Sequence, residues 1–190
     1  MDELRFNTKR TWAEIDLNAM RENYRAVRRS LPDGCRFLGV VKANAYGHGA
    51  LEVSSLLQKC GADYLAVSCL DEALDLRNGG IAMPLLILGH TPAEYTKLLI
   101  DNNITQTVTC LAKAVEYSDA AVKLGKKLKV HHKIDTGMSR LGYIVAGDSF
   151  REGTDNIIES CRLPNLINEG IYTHFASSDE YTPEIGRAHV

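Results

Sequence analysis

Lys42 is the residue of this sequence best placed for covalent chemistry. It ends an apolar run at residues 36–42 and is followed directly by ANAYGHG at residues 43–49. A lysine at the end of a buried strand is partly desolvated, which favours its uncharged amine, the form that attacks a carbonyl. The glycines after it let backbone amides approach an anion such as a phosphate, and Tyr46 offers that anion a hydroxyl. A snorkelling lysine before a tight turn is the structural alternative.

A second set of polar residues lies in KIDTGMSRLG, residues 133–142. Arg140 is a permanent planar cation, suited to binding a carboxylate or a phenolate. Because side chains alternate along a strand, Lys133 and Ile134 point to opposite faces, and one of them faces the interior. A polar loop with Asp135 as a helix or turn cap is the alternative interpretation.

His174 ends a third stretch of this kind, at residues 167–175. It has the chemistry to stack on a flat ring or to pass on a hydrogen bond, although a structural histidine is the alternative. His131 and His132 are adjacent rather than spaced for a shared metal, and Lys133 beside them disfavours a cation. We therefore predict no metal site.

The elements that carry these residues alternate between strand and helix six times. Such alternation predicts parallel strands joined by right-handed crossovers, in either a (β/α)8 TIM-type barrel or an open doubly wound sheet. In a barrel the carboxyl ends of all strands converge on one mouth, whereas an open sheet brings together only the ends at its switch point. We favour the α/β barrel, because polar residues stand at or just after every strand end: Lys42, Ser68, His90, Thr109, Asp135 with Arg140, and His174.

Local signals mark where several helices begin and end. In TPAE, residues 91–94, Thr91 is predicted to cap a helix, with proline at its first position and Glu94 reaching back to the cap. Asp71 is predicted to cap a helix that runs through Arg77, and Gly61 to close the helix before it. Six βα units in 190 residues leave a barrel about two units short of the usual ~250 residues. We therefore interpret the chain as an incomplete barrel.

The composition is that of an ordinary globular protein, with 45% apolar and 24% charged residues and a net charge of -2. These values exclude a disordered tail and a strongly basic nucleic-acid binder. No apolar run approaches the roughly 18 residues of a membrane span, and the first ten residues lack the apolar core of a signal peptide. Five scattered cysteines without a C-x-x-C pair are typical of small buried hydrophobes in a reducing, cytoplasmic compartment: Cys35, Cys60, Cys69, Cys110 and Cys161.

Taken together, these stretches resemble the alanine racemases that depend on pyridoxal 5'-phosphate (PLP; fold type III). VVKANAYGHG at residues 40–49 is similar to that family's cofactor-attachment motif at every position, and TWAEIDLN at residues 11–18 resembles its amino-terminal signature. The segments around Arg140 and His174 match in order and spacing. The resemblance covers about residues 10–182 and ends near Pro183. It implies that residues 1–190 are part of an amino-terminal PLP-binding barrel, without the carboxy-terminal β-domain.

The resemblance implies a role for each matched residue. Lys42 forms the internal aldimine with PLP and acts as the base on one face of the substrate Cα, and Tyr46 holds the cofactor phosphate. Arg140 lies near the phenolic oxygen of PLP and helps to bind the substrate carboxylate, while His174 lies against the PLP ring. Lys133 matches a position that is carbamylated in some members, which would place an anion near Arg140.

The reaction implied is the interconversion of L-alanine and D-alanine for peptidoglycan precursors, in the cytoplasm, by a two-base mechanism in a homodimer. The second base of the family is a tyrosine from the β-domain of the partner subunit, so we expect the 190-residue chain alone to be inactive. A serine racemase of the same fold is the close alternative, because the residues that size the side-chain pocket lie largely downstream. A non-catalytic PLP carrier is the other alternative, and it would need Lys42 but not Arg140. We expect no nucleic-acid or membrane partner.

Overall fold

Six parallel strands form the main sheet of the computed structural model, which describes residues 10–178. A seventh strand, β6, is only two residues long and pairs with the end of β5. The departure expected near Pro183 lies outside the described residues. The strands are β1 (Leu38–Val40), β2 (Tyr64–Val67), β3 (Leu85–Ile87), β4 (Thr105–Val108), β5 (Leu128–Asp135), β6 (Tyr143–Ile144) and β7 (Leu166–Tyr172).

Helical segments connect these strands. Two short 3-10 turns, Ala93–Tyr95 and Gly147–Ser149, directly precede the helices that follow them. Among residues 10–178, every helix is too short or too polar to cross a membrane. The helices are α1 (Leu17–Ser30), α2 (Lys42–Gly47), α3 (Ala50–Cys60), α4 (Leu70–Asn78), α5 (Thr96–Asp101), α6 (Leu111–Lys123) and α7 (Phe150–Arg162).

The order of the strands decides between the two folds that the sequence left open. The strands follow one another as β1-β2-β3-β4-β5, and β7 pairs in parallel with the other side of β5. A doubly wound sheet would reverse direction at a switch point, whereas a barrel adds each new strand on the same side. The barrel-type winding predicted from the sequence is therefore confirmed over these six strands.

The core lies between the sheet and the helices around it. Leu65 of β2 and Leu85 of β3 are fully buried there, and α6 contributes Tyr117. Burying one such side chain stabilises the fold by roughly 1.5–3 kcal/mol. Gly39 lets α3 approach β1 closely, because a Cβ at this position would lie 2.6 Å from Leu57 Cδ1. The outer faces of the strands are thus occupied, which leaves the strand ends and inner faces for a site.

The pairing of β5 with β7 contains a β-bulge. Val130 is paired with Asn168, but the next residue of β5, His131, is paired with Gly170, so Glu169 is an extra residue. Bulges of this kind re-aim side chains and are common beside active sites. After the bulge, Ile171 pairs with His132 and Tyr172 with Lys133.

Two of the predicted helix caps are wrong. The segment after β3 begins with the 3-10 turn Ala93–Tyr95, and neither it nor α5 has a side-chain cap. Thr91 is buried, its hydroxyl has no hydrogen-bond partner, and its carbonyl accepts from the Tyr117 hydroxyl of α6. Asp71 lies inside the first turn of α4, after the N-cap residue Cys69. Gly61, in contrast, ends α3 with a left-handed φ of 81°, as predicted.

The cysteines are unpaired, but the expectation that they are buried is wrong. Cys60 is partly buried, and the other four are exposed.

Candidate active site

Lys42 stands at the start of a left-handed turn. The four residues after it have φ values of 50°, 55°, 52° and 54°, so α2 is one helical turn of the opposite hand. Left-handed helical backbone costs roughly 1–2 kcal/mol per residue for amino acids other than glycine. The sequence predicts a tight turn here, but its handedness was not foreseen, since three of these four residues are alanine or tyrosine. Backbone strain of this size persists where the surrounding structure enforces it, and such places cluster at functional sites.

Asn44 joins this turn to the helix that follows. Its Oδ1 accepts a hydrogen bond of 2.8 Å from the Ala50 amide at the start of α3. Its backbone oxygen accepts another of 3.0 Å from the Gly49 amide. Asparagine tolerates left-handed backbone better than most residues, so one residue both adopts the turn and caps the next helix. The position of Lys42 is thereby fixed relative to the N-terminus of α3.

Arg140 is presented by a loop that Asp135 organises. The Asp135 carboxylate accepts hydrogen bonds from the backbone amides of Gly137 (2.9 Å), Ser139 (3.0 Å) and Arg140 (2.8 Å). Burial alone would raise the pKa of Asp135, but these three bonds and the charge of Lys133 outweigh it and hold the pKa below its usual value. The interpretation of this segment as a polar loop capped by Asp135 is confirmed. The Asp135 carboxylate accepts from backbone amides of the loop, which leaves the Arg140 side chain available to the cavity.

Lys133 faces the barrel interior and is almost completely buried, with 5% of its surface exposed. Its Nζ donates a 2.7 Å hydrogen bond to the Leu141 carbonyl. Burial lowers the pKa of Lys133, and the charge of Arg140 lowers it further, although Asp135 partly opposes this. Lys133 is therefore a poorly solvated amine whose protonated form is disfavoured.

A cavity of about 590 Å³ lies among the strand ends. Lys42, Arg140 and His174 all line it, and Lys133 and Ser68 are among its other polar lining residues. Within the described part of the chain no acidic side chain lines this cavity, and the remaining wall is mainly apolar. Its size is typical of a small-molecule site. The apolar lining comes from Leu38, Val40, Leu86, Leu88, Leu141 and Ile171.

The charges around the cavity reinforce one another. Burial lowers the pKa of His174, and the positive charges of Arg140, Lys133 and Lys42 lower it further, in that order. A cavity that is lined by the Arg140 guanidinium and two lysine amines, with no acidic side chain among its described lining residues, attracts anions. The arrangement can therefore hold a small, multiply anionic ligand beside the amine of Lys42.

Three of the strand-end residues expected at the mouth, His90, Thr109 and Asp135, do not line this cavity, and neither does Tyr46. Tyr46 is 61% exposed, although its ring centre is 5.9 Å from Lys42 Nζ. His90 lines a different cavity beside α4, and Thr109 lines one beside the start of α6. Asp135 is occupied by the amides of its own loop. The expected convergence on one mouth is thus correct for some strand ends and wrong for these.

His131, Tyr172 and Thr173 line the cavity, although from the sequence His131 was considered only as a metal ligand and the other two were not predicted as site residues. Tyr172 lies within hydrogen-bond distance of the Thr107 hydroxyl, at 2.9 Å, and its ring centre is 6.0 Å from Lys133 Nζ. Strand alternation carries the signal for His131, because it is two residues before Lys133 on the same face of β5. Strand alternation does not predict Tyr172, because the bulge in β7 changes the face to which the residues after it point. Among residues 10–178 no three His, Cys, Asp or Glu side chains are grouped as metal ligands.

The fold and the site can be compared with known proteins. The family described as "Alanine racemase, N-terminal domain" matches residues 15–189 of the chain. The chain belongs to the alanine racemase family. An alanine racemase of Clostridium perfringens is 46% identical over 169 residues, which are 89% of this chain and 42% of that protein. The chain therefore spans less than half the length of this relative.

Solved structures agree with the family assignment. An alanine racemase of Clostridium difficile 630 in complex with cycloserine has a TM-score of 0.86 and 44% identity, covering 93% of this chain and 48% of that one. A histidine racemase from Leuconostoc mesenteroides has a TM-score of 0.78 and 30% identity, covering 89% and 44%. The same barrel unit is therefore shared by racemases that are named for different amino acids.

Proposed function

We propose that this chain is the cofactor-binding part of a PLP-dependent amino-acid racemase that interconverts L-alanine and D-alanine. The observation that supports this most is the cavity in which the Lys42 amine stands among cations with no acidic side chain among the described residues. PLP carries a phosphate, a phenolate oxygen and an aldehyde, and the residues present fit all three. Cations suit the two anionic groups, and Lys42 suits the aldehyde.

When bound, PLP supplies a conjugated ring that accepts electron density from the substrate Cα. Lys42 would hold the aldehyde carbon through its Nζ until the substrate amine takes its place, and the released Lys42 amine would then move a proton at one face of the Cα. Racemisation needs a second proton-transfer group on the opposite face. We propose that a tyrosine of the partner subunit in a homodimer supplies it, as the family resemblance implies.

Arg140 would bind the substrate carboxylate and lie near the phenolic oxygen of PLP. Its guanidinium is free for this, since its backbone amide alone is engaged by Asp135. His174 would lie against the ring, and its lowered pKa favours a neutral imidazole there. Tyr46 would bind the phosphate through its hydroxyl, which its exposure near Lys42 leaves accessible.

We further propose that Lys133 becomes carbamylated. Only a neutral amine attacks carbon dioxide, and burial together with Arg140 favours the neutral form of Lys133. The new N–C bond forms with release of one proton, and the resulting anion offsets the positive charge of Arg140. Intact-protein mass spectrometry under carbon dioxide should show the added mass, and Lys133→Ala should lack it. Equal addition to both chains would refute this modification.

Serine remains the alternative substrate, and the histidine racemase shows that the barrel unit does not by itself dictate the amino acid. A non-catalytic PLP carrier is less well supported, because Arg140 lines the cavity and a carrier has no substrate carboxylate to bind. Free cysteines support a cytoplasmic location, and D-alanine would serve peptidoglycan precursors there.

Borohydride trapping tests the proposal. The chain is incubated with PLP, reduced and digested, and we expect a phosphopyridoxyl group on Lys42. Lys42→Ala should lose this label, and the control Lys59→Ala on the surface of α3 should keep it. Absence of label at Lys42 would overturn the proposal. Chiral analysis of alanine, serine and histidine, on this chain and on any longer polypeptide that contains it, then identifies the substrate.

A further inference from the structure

Glu72 connects the turn after Lys42 to a different βα unit. It lies in the first turn of α4, and its Oε1 accepts a 2.7 Å hydrogen bond from the Ala43 amide, 29 residues away in sequence. Its Oε2 accepts from the Ser68 amide at 2.7 Å and from the Ser68 hydroxyl at 2.8 Å. One carboxylate therefore joins the end of β2 to the residue that follows Lys42.

The Ala43 amide is the point at which the left-handed turn begins. Its φ of 50° is unfavourable for alanine, and the turn needs outside contacts to persist. At the far end Asn44 supplies such a contact by capping α3. At the near end the contact is Glu72, because the Ala43 amide donates directly to it. Releasing this amide would free the backbone next to Lys42.

Glu72 is charged at neutral pH. Burial would raise its pKa, but the hydrogen bonds from Ser68 and Ala43 outweigh burial, and the charge of Lys42 adds to them, so the pKa is lowered. A charged acceptor binds backbone amides more strongly than a neutral one. The carboxylate thus acts on the Lys42 segment through both a hydrogen bond and its charge.

We infer that Glu72 is a positioning residue for Lys42, whose carboxylate holds the left-handed turn so that the Lys42 amine remains in the cavity. Glu72 holds the turn in the chain without any ligand. The effect of Glu72 on PLP attachment to Lys42 rests on the proposed function.

The first experiment measures backbone amide hydrogen exchange at residues 43–49 of the chain without PLP. We compare Glu72→Gln, which keeps the side-chain shape, with Glu72→Ala, and use Asp71→Asn as the control. Asp71 carries the same charge in the same helical turn but is exposed. Exchange should accelerate at least tenfold in both Glu72 variants and stay unchanged in the control, while β4 and β5 exchange normally. Unchanged exchange in Glu72→Gln, or equal acceleration in β4 and β5, would overturn the inference.

The second experiment follows borohydride trapping of Lys42 over a range of PLP concentrations. A positioning role predicts that the maximal trapping rate of Glu72→Gln falls at least tenfold, while the PLP concentration for half-maximal rate stays within twofold. Faster exchange with an unchanged trapping rate would show that Glu72 only stabilises the turn, and would overturn the positioning role. If the parent chain is not labelled at all, the proposed function fails, whereas the exchange experiment still decides whether Glu72 holds the turn. Should Glu72→Ala not fold, Glu72→Gln alone decides both points.

Discussion

The turn after Lys42 (residues 43–46) and the loop that carries Arg140 (residues 136–142, the Arg140 loop) both position a cation, but the contacts that hold them differ in sequence range. Each presents a cation to the cavity, each contains left-handed backbone, and each is held by a carboxylate that accepts three hydrogen bonds. In the loop the carboxylate is Asp135, two to five residues from the amides it binds. In the turn it is Glu72, which is 29 residues from Ala43.

The difference shows how much of each conformation is encoded locally. The Arg140 loop places glycine at two of its three left-handed positions, Gly137 and Gly142, where such backbone costs little. The Lys42 turn has no glycine at its four left-handed positions, and two of them are alanine. Its conformation therefore depends on β2 and α4 being in place. The loop is thus close to self-sufficient, and the turn depends on its surroundings.

The largest effect should come from crowding the Arg140 loop. A Cβ at Gly142 would lie 2.6 Å from the Lys133 carbonyl oxygen, at a φ of 123°. We expect Gly142→Ala to lower the free energy of unfolding by roughly 3 kcal/mol, since backbone must move. Gly147→Ala is the control, because its φ is also positive, at 56°, but the space around it is open. It should cost about 1 kcal/mol. Urea unfolding curves measure both, and equal losses would contradict the steric explanation.

Removing the charge of Asp135 should destabilise the fold more than removing the charge of Glu72. Both losses of stability should depend on pH in the same direction. We expect Asp135→Asn to lower the free energy of unfolding by about 2 kcal/mol at pH 7, and Glu72→Gln by about 1 kcal/mol, because Asp135 is the more buried acceptor. Both carboxyls have a lowered pKa in the folded state. Their stabilisation is therefore present at neutral pH and is lost as the pH falls through those folded-state values.

Urea unfolding at a series of pH values checks this expectation. The difference between the parent chain and Asp135→Asn should shrink as the pH falls below about 4, because the unfolded parent chain then binds a proton at Asp135 that the folded chain resists. A difference that stays constant down to pH 2.5 or so would mean that the side chain stabilises the loop by shape and not by charge.

The smallest effect has the opposite sign. Ala43→Gly should raise the free energy of unfolding by up to about 1 kcal/mol, because glycine adopts a φ of 50° without the alanine penalty. The control Ala120→Gly, in right-handed α6, should lower it by about 1 kcal/mol. Thermal or urea unfolding distinguishes the two. A destabilised Ala43→Gly would show that the turn is not strained.

The same contrast explains what the sequence could predict. Strand and helix order, the capping role of Asp135 and the left-handed end of α3 at Gly61 all rest on near neighbours, and these were correctly predicted. The hand of the Lys42 turn rests on Glu72 in another unit, and nothing in the letters ANAY indicates it. The two-residue strand β6 is too short to leave a pattern.

Long-range packing also explains the wrong predictions within the site. TPAE has the letters of a capping box, yet Thr91 is buried beneath Tyr117, so its hydroxyl is unavailable as a cap. His90 and Thr109 follow their strands closely, but the chain turns towards the helices there. Lys42, Arg140 and His174 were predicted to share one site, and all three line the same cavity.

The extra residue in β7, Glu169, reverses the face of the sheet to which the later residues of this strand point. Asn168 points outward to His132, at 2.7 Å, and in a regular strand every second residue from there would also point outward. Glu169 shifts that count by one, so Tyr172, which pairs with Lys133, turns inward instead. No substitution can reproduce this, because it is the number of residues that matters and not their type. Deleting this single position would turn Tyr172 away from the cavity while leaving every other side chain of the protein unaltered in identity.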